Sequence, residues 1–281
     1  MVKFTLGHRE ILSLGLGLVK HKEDTTNGTL GDTRNIECFK AHYGASPTVV
    51  AKIFEDLKSV PPFPGASIEE TTKHFAWIFI VGLLDAMRYL ARRPTDAPFC
   101  VFPSWRKACW YHIESVQALK FKKVVFPACF PAEGEIMTVH GSRYSAKNGA
   151  GLCYELGIDL NNSNLIWMNG PFPADSSDEA NFVEKGLKQK LKSIGKTALA
   201  DKAYSGHPKE VGWLCALDST AEKSKKRRAQ HRHEKFCRML KQFKCLEDQF
   251  CHDEKEFKIC FEATAVICQY RMENGEALFN V

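Results

Sequence analysis

Several things that would assign a chain to a class at once are missing from this sequence. No apolar run approaches the ~20 residues a membrane-spanning helix needs. The longest, Phe75 to Leu84, stops at ten. The stretch 11–19 is interrupted by Ser13, Gly15 and Gly17, follows a charged triplet and has no small-residue cleavage site, so no signal peptide is expected. The eleven cysteines are odd in number, irregular in spacing and contain no C-x-x-C pair, which excludes a readable disulfide framework or zinc knuckle. Cys245 with Cys251-His252 matches no familiar zinc spacing. Free thiols in that number point to a reducing, intracellular compartment. There is no internal repeat, and no shortage of core-forming residues. With 281 residues, 44% hydrophobic and 26% charged, the chain can bury a full core in one large domain, or one large and one small.

Net charge is small except in one place. The whole chain carries +6, but residues 223–244 hold ten Lys/Arg against one Glu, a local +9, which leaves the remainder near −3. Such a patch suits phosphate backbones or nuclear import, and K-S-K-K-R-R (223–228) has the form of an import signal. A solvated helix face explains it equally well.

Residues 1–120 read as helical. Ser46-Pro47 supplies a cap and a first-turn proline, and Val49, Val50, Ile53, Phe54 and Leu57 follow at helical spacing. Pro61 to Gly65 closes that helix, and Ser67 with Glu70 forms a capping box for a second, buried one. A third carries Trp105, Cys109, Ile113 and Val116 on one face. Three short helices with basic ends suit a helix-turn-helix DNA reader and a plain bundle alike.

Residues 121–281 change character. Val124–Phe126, Ile136–Val139, Cys153–Leu160 and Asn164–Phe172 are short apolar segments divided by Gly, Asn and Pro, with Asn161-Asn162 as a tight turn between the last two. A helix from Ser176 or Ser177 carries Phe182, Val183, Leu187, Leu191 and Ile194 and ends at Gly195. Thr197–Ala200 is a short buried strand that delivers Asp201, followed by a basic helix around Glu234 and an apolar helix from Phe257 to Met272. Strands, helix, strand, then helices is the order of an RNase H-like mixed α/β sheet with flanking helices. In that order Asp201 at a strand end and Glu234 on a later helix are candidate ligands for Mg²⁺ or Mn²⁺, hard ions that take oxygen donors and retain water for phosphodiester chemistry.

Ordered blocks strengthen this. G-A-G-L-C-Y-E-L-G-I (149–158), N-L-I-W-M-N-G-P-F-P-A-D-S-S-D (164–178), A-L-A-D-K-A-Y-S-G (198–206), H-R-H-E-K-F-C-R-M-L-K-Q-F-K-C-L (231–246) and F-K-I-C-F-E-A-T-A-V-I-C-Q-Y (257–270) resemble the DDE superfamily endonuclease domain of PIF/Harbinger-type transposases, the algal forms above all. The resemblance covers roughly residues 120–281. It implies a metal-dependent DNA endonuclease of the nucleus whose three acids hold divalent metal, with no small-molecule cofactor and no membrane. The second acid falls on Asp201 and the third on Glu234, with Asp178 in support. The basic residues Lys225, Lys226, Arg227, Arg228 and Arg232 would meet DNA phosphates.

The first acid is absent. Where the family carries V-D-G-T-H, this chain has Val139-His140-Gly141-Ser142-Arg143, so His140 stands in the aspartate's place. Imidazole suits Mn²⁺ or Zn²⁺ better than Mg²⁺. Glu135, five residues earlier, would reach the same face only through a bulge. The expectation is therefore an impaired nuclease, with a non-catalytic DNA-binding or interaction protein, or a transposon relic, as the alternative.

Overall fold

The computed structural model describes residues 11–13, 16, 32–57, 116–120, 135–145, 151–173, 176–213, 218–247 and 253–279. The expected second helix, most of the third, the segment Val124–Phe126 and Cys251-His252 lie outside these residues. In chain order the described elements are α1 (Asp32–Tyr43), α2 (Pro47–Leu57), β1 (Glu135–Ser145), β2 (Gly151–Asp159), β3 (Leu165–Pro173), α3 (Asp178–Glu184), α4 (Leu187–Ile194), β4 (Thr197–Ala200), β5 (Val211–Trp213), α5 (Thr220–Lys241), α6 (Lys244–Glu247) and α7 (Glu254–Glu273), with a 3-10 turn (Lys202–Tyr204) after β4. The result is a mixed α/β protein with flanking helices.

The chain divides into two compact units. One comprises Met1–Leu119, Gln242–Leu246 and Phe250–Asn274. Its described parts are helical. The expected cap at Ser46 is present: its Oγ accepts from Val49 N at 3.4 Å. Helix α7 is capped by Asp253, whose Oδ1 accepts from Glu256 N at 2.8 Å, and fourteen of its residues are buried. A helix covered nearly all round must pair its polar groups internally. Tyr270 donates to Asp56 on α2, and Gln117 donates to Glu262.

The other unit comprises Lys120–Lys241, Glu247–Gln249 and Gly275–Val281 and holds a five-stranded sheet in the order β3-β2-β1-β4-β5. β1, β2 and β3 form an antiparallel meander; β4 joins β1 in parallel, and β5 joins β4 in parallel. Strand β5 was not among the expected elements, because three residues are too few to show alternation. At the β2–β3 turn, Asp159 replaces special backbone geometry with side-chain bonds. Its Oδ1 accepts from Asn161 N at 2.8 Å and Asn162 N at 3.2 Å, a local Asx arrangement that closes the hairpin without positive φ.

The single helix expected from Ser177 to Gly195 is two. Gly186, at φ 100°, breaks it into α3 and α4, and Gly195, at φ 62°, ends α4 as expected. The break lets both helices lay apolar residues on one side of the sheet. Phe182, Leu187 and Leu191 pack with Ile166, Ala198, Ala200, Tyr204 and Val211. Leu199, one residue out of phase with Ala198 and Ala200, packs instead with Leu160 and with Ala229 of α5. The period-two alternation of β4 thus divides two cores between the faces of the sheet.

One backbone position tolerates no side chain. Gly170 has φ 146°, and a Cβ there would stand 2.7 Å from Tyr154 Cδ1 and 3.0 Å from the Cys153 carbonyl. Gly170→Ala is expected to lower stability by about 2–4 kcal/mol through clash and backbone strain together. Urea unfolding followed by circular dichroism checks it; an unchanged midpoint would mean that β2 and β3 separate more easily than their pairing indicates.

Candidate functional site

The sheet register relates the first two of the three expected acid positions. β1 and β4 run parallel with Thr138 opposite Leu199. Two residues further along each strand, His140 comes level with Asp201. The same ladder sets Glu135 opposite Thr197, and a bulge does occur between Glu135 and Met137. It does not rescue the missing acid. Glu135 lies at the start of the ladder, four residues from the level of Asp201, or roughly 13 Å at strand rise. Distance along the strand, not the face, excludes it.

Asp201 follows β4 and caps the 3-10 turn, its Oδ1 accepting from Ala203 N at 2.8 Å. It is half-buried. Asp178 opens α3 just after its N-cap Ser177 and is also half-buried. Glu234 is exposed. The buried stripe of α5 runs through Ala229, Arg232, His233, Phe236, Met239 and Leu240, and Glu234 stands one position outside it. Among the described residues no three His, Cys, Asp or Glu side chains are gathered to hold a metal ion.

The basic run divides by environment. Lys225, Arg227 and Arg228 are exposed. Lys226 is engaged: its ammonium donates to the Trp213 carbonyl at 2.8 Å and to Asp218 Oδ1 at 3.0 Å. Arg232 departs from the expectation altogether. It is fully buried, and its guanidinium donates to the carbonyls of Asn162 and Phe279, with the Asp159 carboxylate close enough to act on its charge. It ties the β2–β3 turn to the C-terminal segment and is not presented to phosphate. One helical step decides this, since 232 lies on the same stripe as 229, 233 and 236.

A second group of polar residues was not singled out by spacing. Glu155 on β2 is 2% exposed. Its Oε2 accepts from Trp167 Nε1 at 2.8 Å, while its Oε1 has no hydrogen-bond partner. Burial pushes this carboxyl up to about 7; the Trp167 bond opposes the shift and the nearby Asp178 charge adds to it. Tyr204, on the turn after Asp201, is fully buried with its hydroxyl unpartnered. Burial raises its pKa far above the ordinary range, and the charges of Glu155, Asp178 and Asp201 add to that. Its ring meets Phe182 of α3 edge-on at 5.5 Å. Beyond it, His207 Nδ1 lies 3.0 Å from Lys188 Nζ, and its Nε2 lies 3.2 Å from Glu179 Oε1. The available signal for Glu155 was that β2 is apolar on both faces, so that any acid within it must be buried.

Residues 130–269 match the DDE superfamily endonuclease family. This segment is a DDE superfamily endonuclease domain. It begins just before β1 and ends within α7. No curated protein and no solved structure matches the chain. The endonuclease family implies a DNA substrate, and its nucleases typically use divalent metal. Within the matched segment Asp201 follows β4, Asp178 opens α3 and Glu234 is exposed on α5. No described helix is long and apolar enough to cross a membrane.

Proposed function

We propose that this chain is an RNase H-like, PIF/Harbinger-derived DNA endonuclease domain whose DNA contacts are intact and whose metal-dependent cleavage is impaired. The observation that carries the reading is the register that brings His140 level with Asp201, the place of the first acid, on the central strand of a sheet ordered 3-2-1-4-5. Asp201 and Glu234, with Asp178 in support, are carboxylates of the kind that Mg²⁺ or Mn²⁺ takes. They fit one ion better than two, because the position level with Asp201 is an imidazole and Glu234 lies off the buried stripe. When bound, such an ion supplies a water nucleophile and steadies the leaving oxygen in phosphodiester cleavage.

The chain's own contribution is to bind and orient DNA. Lys225, Arg227 and Arg228 are exposed on α5 and are the side chains that meet phosphates on this reading, and K-S-K-K-R-R also serves as a nuclear import signal. A non-catalytic DNA-binding role is the second reading, favoured by the exposure of Glu234. Supercoiled-plasmid nicking with Mg²⁺ or Mn²⁺ tests the assignment. Wild type should nick at least about 100-fold more slowly than His140→Asp, and Asp201→Ala should remove the remainder. Silence from all three folded proteins would leave a non-catalytic binding protein or a transposon relic. Full activity of wild type would show that the first position is filled by another group.

A further inference from the structure

We propose that Glu155 and Asp178 form a site for one hard divalent cation beside the Tyr204 hydroxyl. The proposal rests on the nuclease-derived reading for the class of ion and adds Glu155, a residue that no motif assigns.

Its ground is a concentration of polar atoms without partners in a place where such atoms are costly. Glu155 Oε1 and the Tyr204 hydroxyl are both buried and both lack a hydrogen-bond partner. Each such group costs stability if nothing satisfies it. The two belong to one neighbourhood: α3, which begins at Asp178, reaches β2 where Asn181 Nδ2 lies 3.7 Å from Cys153 Sγ, two residues before Glu155, and the charges of Asp178 and Glu155 both bear on Tyr204. The fold enforces the juxtaposition. Phe182 of α3 packs edge-on against Tyr204, and α3 begins at Asp178. Trp167 Nε1 holds the other oxygen of Glu155, so the carboxylate plane is fixed with Oε1 free.

Two carboxylates in a desolvated setting repel, and either a proton or a cation relieves them. A proton neutralises Glu155 yet adds a donor that itself needs an acceptor, and it does nothing for Tyr204. A hydrated cation meets both needs at once. The metal takes Glu155 Oε1 and Asp178 as ligands, and one of its waters bonds to the hydroxyl. Mg²⁺ characteristically uses only one or two carboxylates and retains its waters. Two suffice here, with water completing the shell. Half-buried Asp178 is the side from which the ion enters.

The test uses Tb³⁺ as probe on the full chain, because the indole bonded to Glu155 is placed to sensitise its emission. Wild type should show saturable sensitised emission that Mg²⁺ and Mn²⁺ compete away. Glu155→Gln should weaken Tb³⁺ binding at least about tenfold. Trp167→Phe should lose the emission sensitised by indole-selective excitation while still binding Tb³⁺ by direct excitation. Thermal unfolding verifies that each variant is folded; if Glu155→Gln is not, Glu155→Asp, which withdraws the carboxylate by one methylene, reads the same affinity. Unchanged affinity in folded Glu155→Gln, with binding abolished by Asp201→Ala, would overturn the proposal and leave the nuclease reading standing. Emission under indole-selective excitation that survives Trp167→Phe would overturn the location. No saturable binding by wild type would overturn both.

Discussion

Arg232→Ala is expected to destabilise the sheet unit by about 3–5 kcal/mol, the largest effect of any single change to the basic helix. The side chain is fully buried and donates to two backbone carbonyls, those of Asn162 and Phe279. Truncation orphans both, leaves the Asp159 carboxylate buried without its cationic neighbour, and empties the space of the largest fully buried side chain described. Arg228→Ala, four residues earlier and exposed, should change stability by less than about 0.5 kcal/mol. It should instead weaken DNA binding and lower the salt slope by about one phosphate contact. Urea unfolding and fluorescence anisotropy with duplex DNA at two salt concentrations separate the two. Loss of DNA affinity at unchanged stability in Arg232→Ala would mean that the guanidinium reaches solvent after all.

Stability of the wild-type chain is expected to fall as pH rises from about 4.5 to about 7. Glu155 has an ordinary pKa of 4.5 and is raised to about 7 in the fold, mainly by burial. Between those values the folded state binds the proton and the unfolded state does not. Raising the pH therefore favours unfolding. The stabilisation is complete below about 4.5 and gone above about 7, a loss on the order of 3 kcal/mol. Glu155→Gln removes the titration, so its profile should be flat across that window and lie above wild type at pH 8. Thermal melts in metal-free buffer from pH 4.5 to 8 measure it. A wild-type profile without that decline would place the Glu155 carboxyl in contact with water or with a cation.

Much of the arrangement was legible in the sequence because it follows from local periodicity and punctuation. The helix α2, the meander, the strand Thr197–Ala200 that ends at Asp201, and the final helix all lie where the spacing of apolar residues and the turn residues put them. The proposed replacement of the first acid by His140 rests on the order of motifs alone, as a departure within one of them. Environment was not legible. Lys225, Lys226, Arg227, Arg228 and Arg232 form one basic run in sequence, yet one is locked to Asp218 and another is sealed in the interior. That sorting depends on which stripe of α5 meets the sheet, and a run dense in charge hides the stripe. Glu234 became solvent-facing for the same reason.

Nor could spacing bring Glu155 to Tyr204, forty-nine positions apart. Only the sheet and the packing of α3 across it place those groups together. What the sequence determined by itself is the order of strands and helices and the residue types at the acid positions. Which polar groups are buried, paired or left open to a ligand was decided by tertiary packing, because burial is a property of facing surfaces and no single segment contains it.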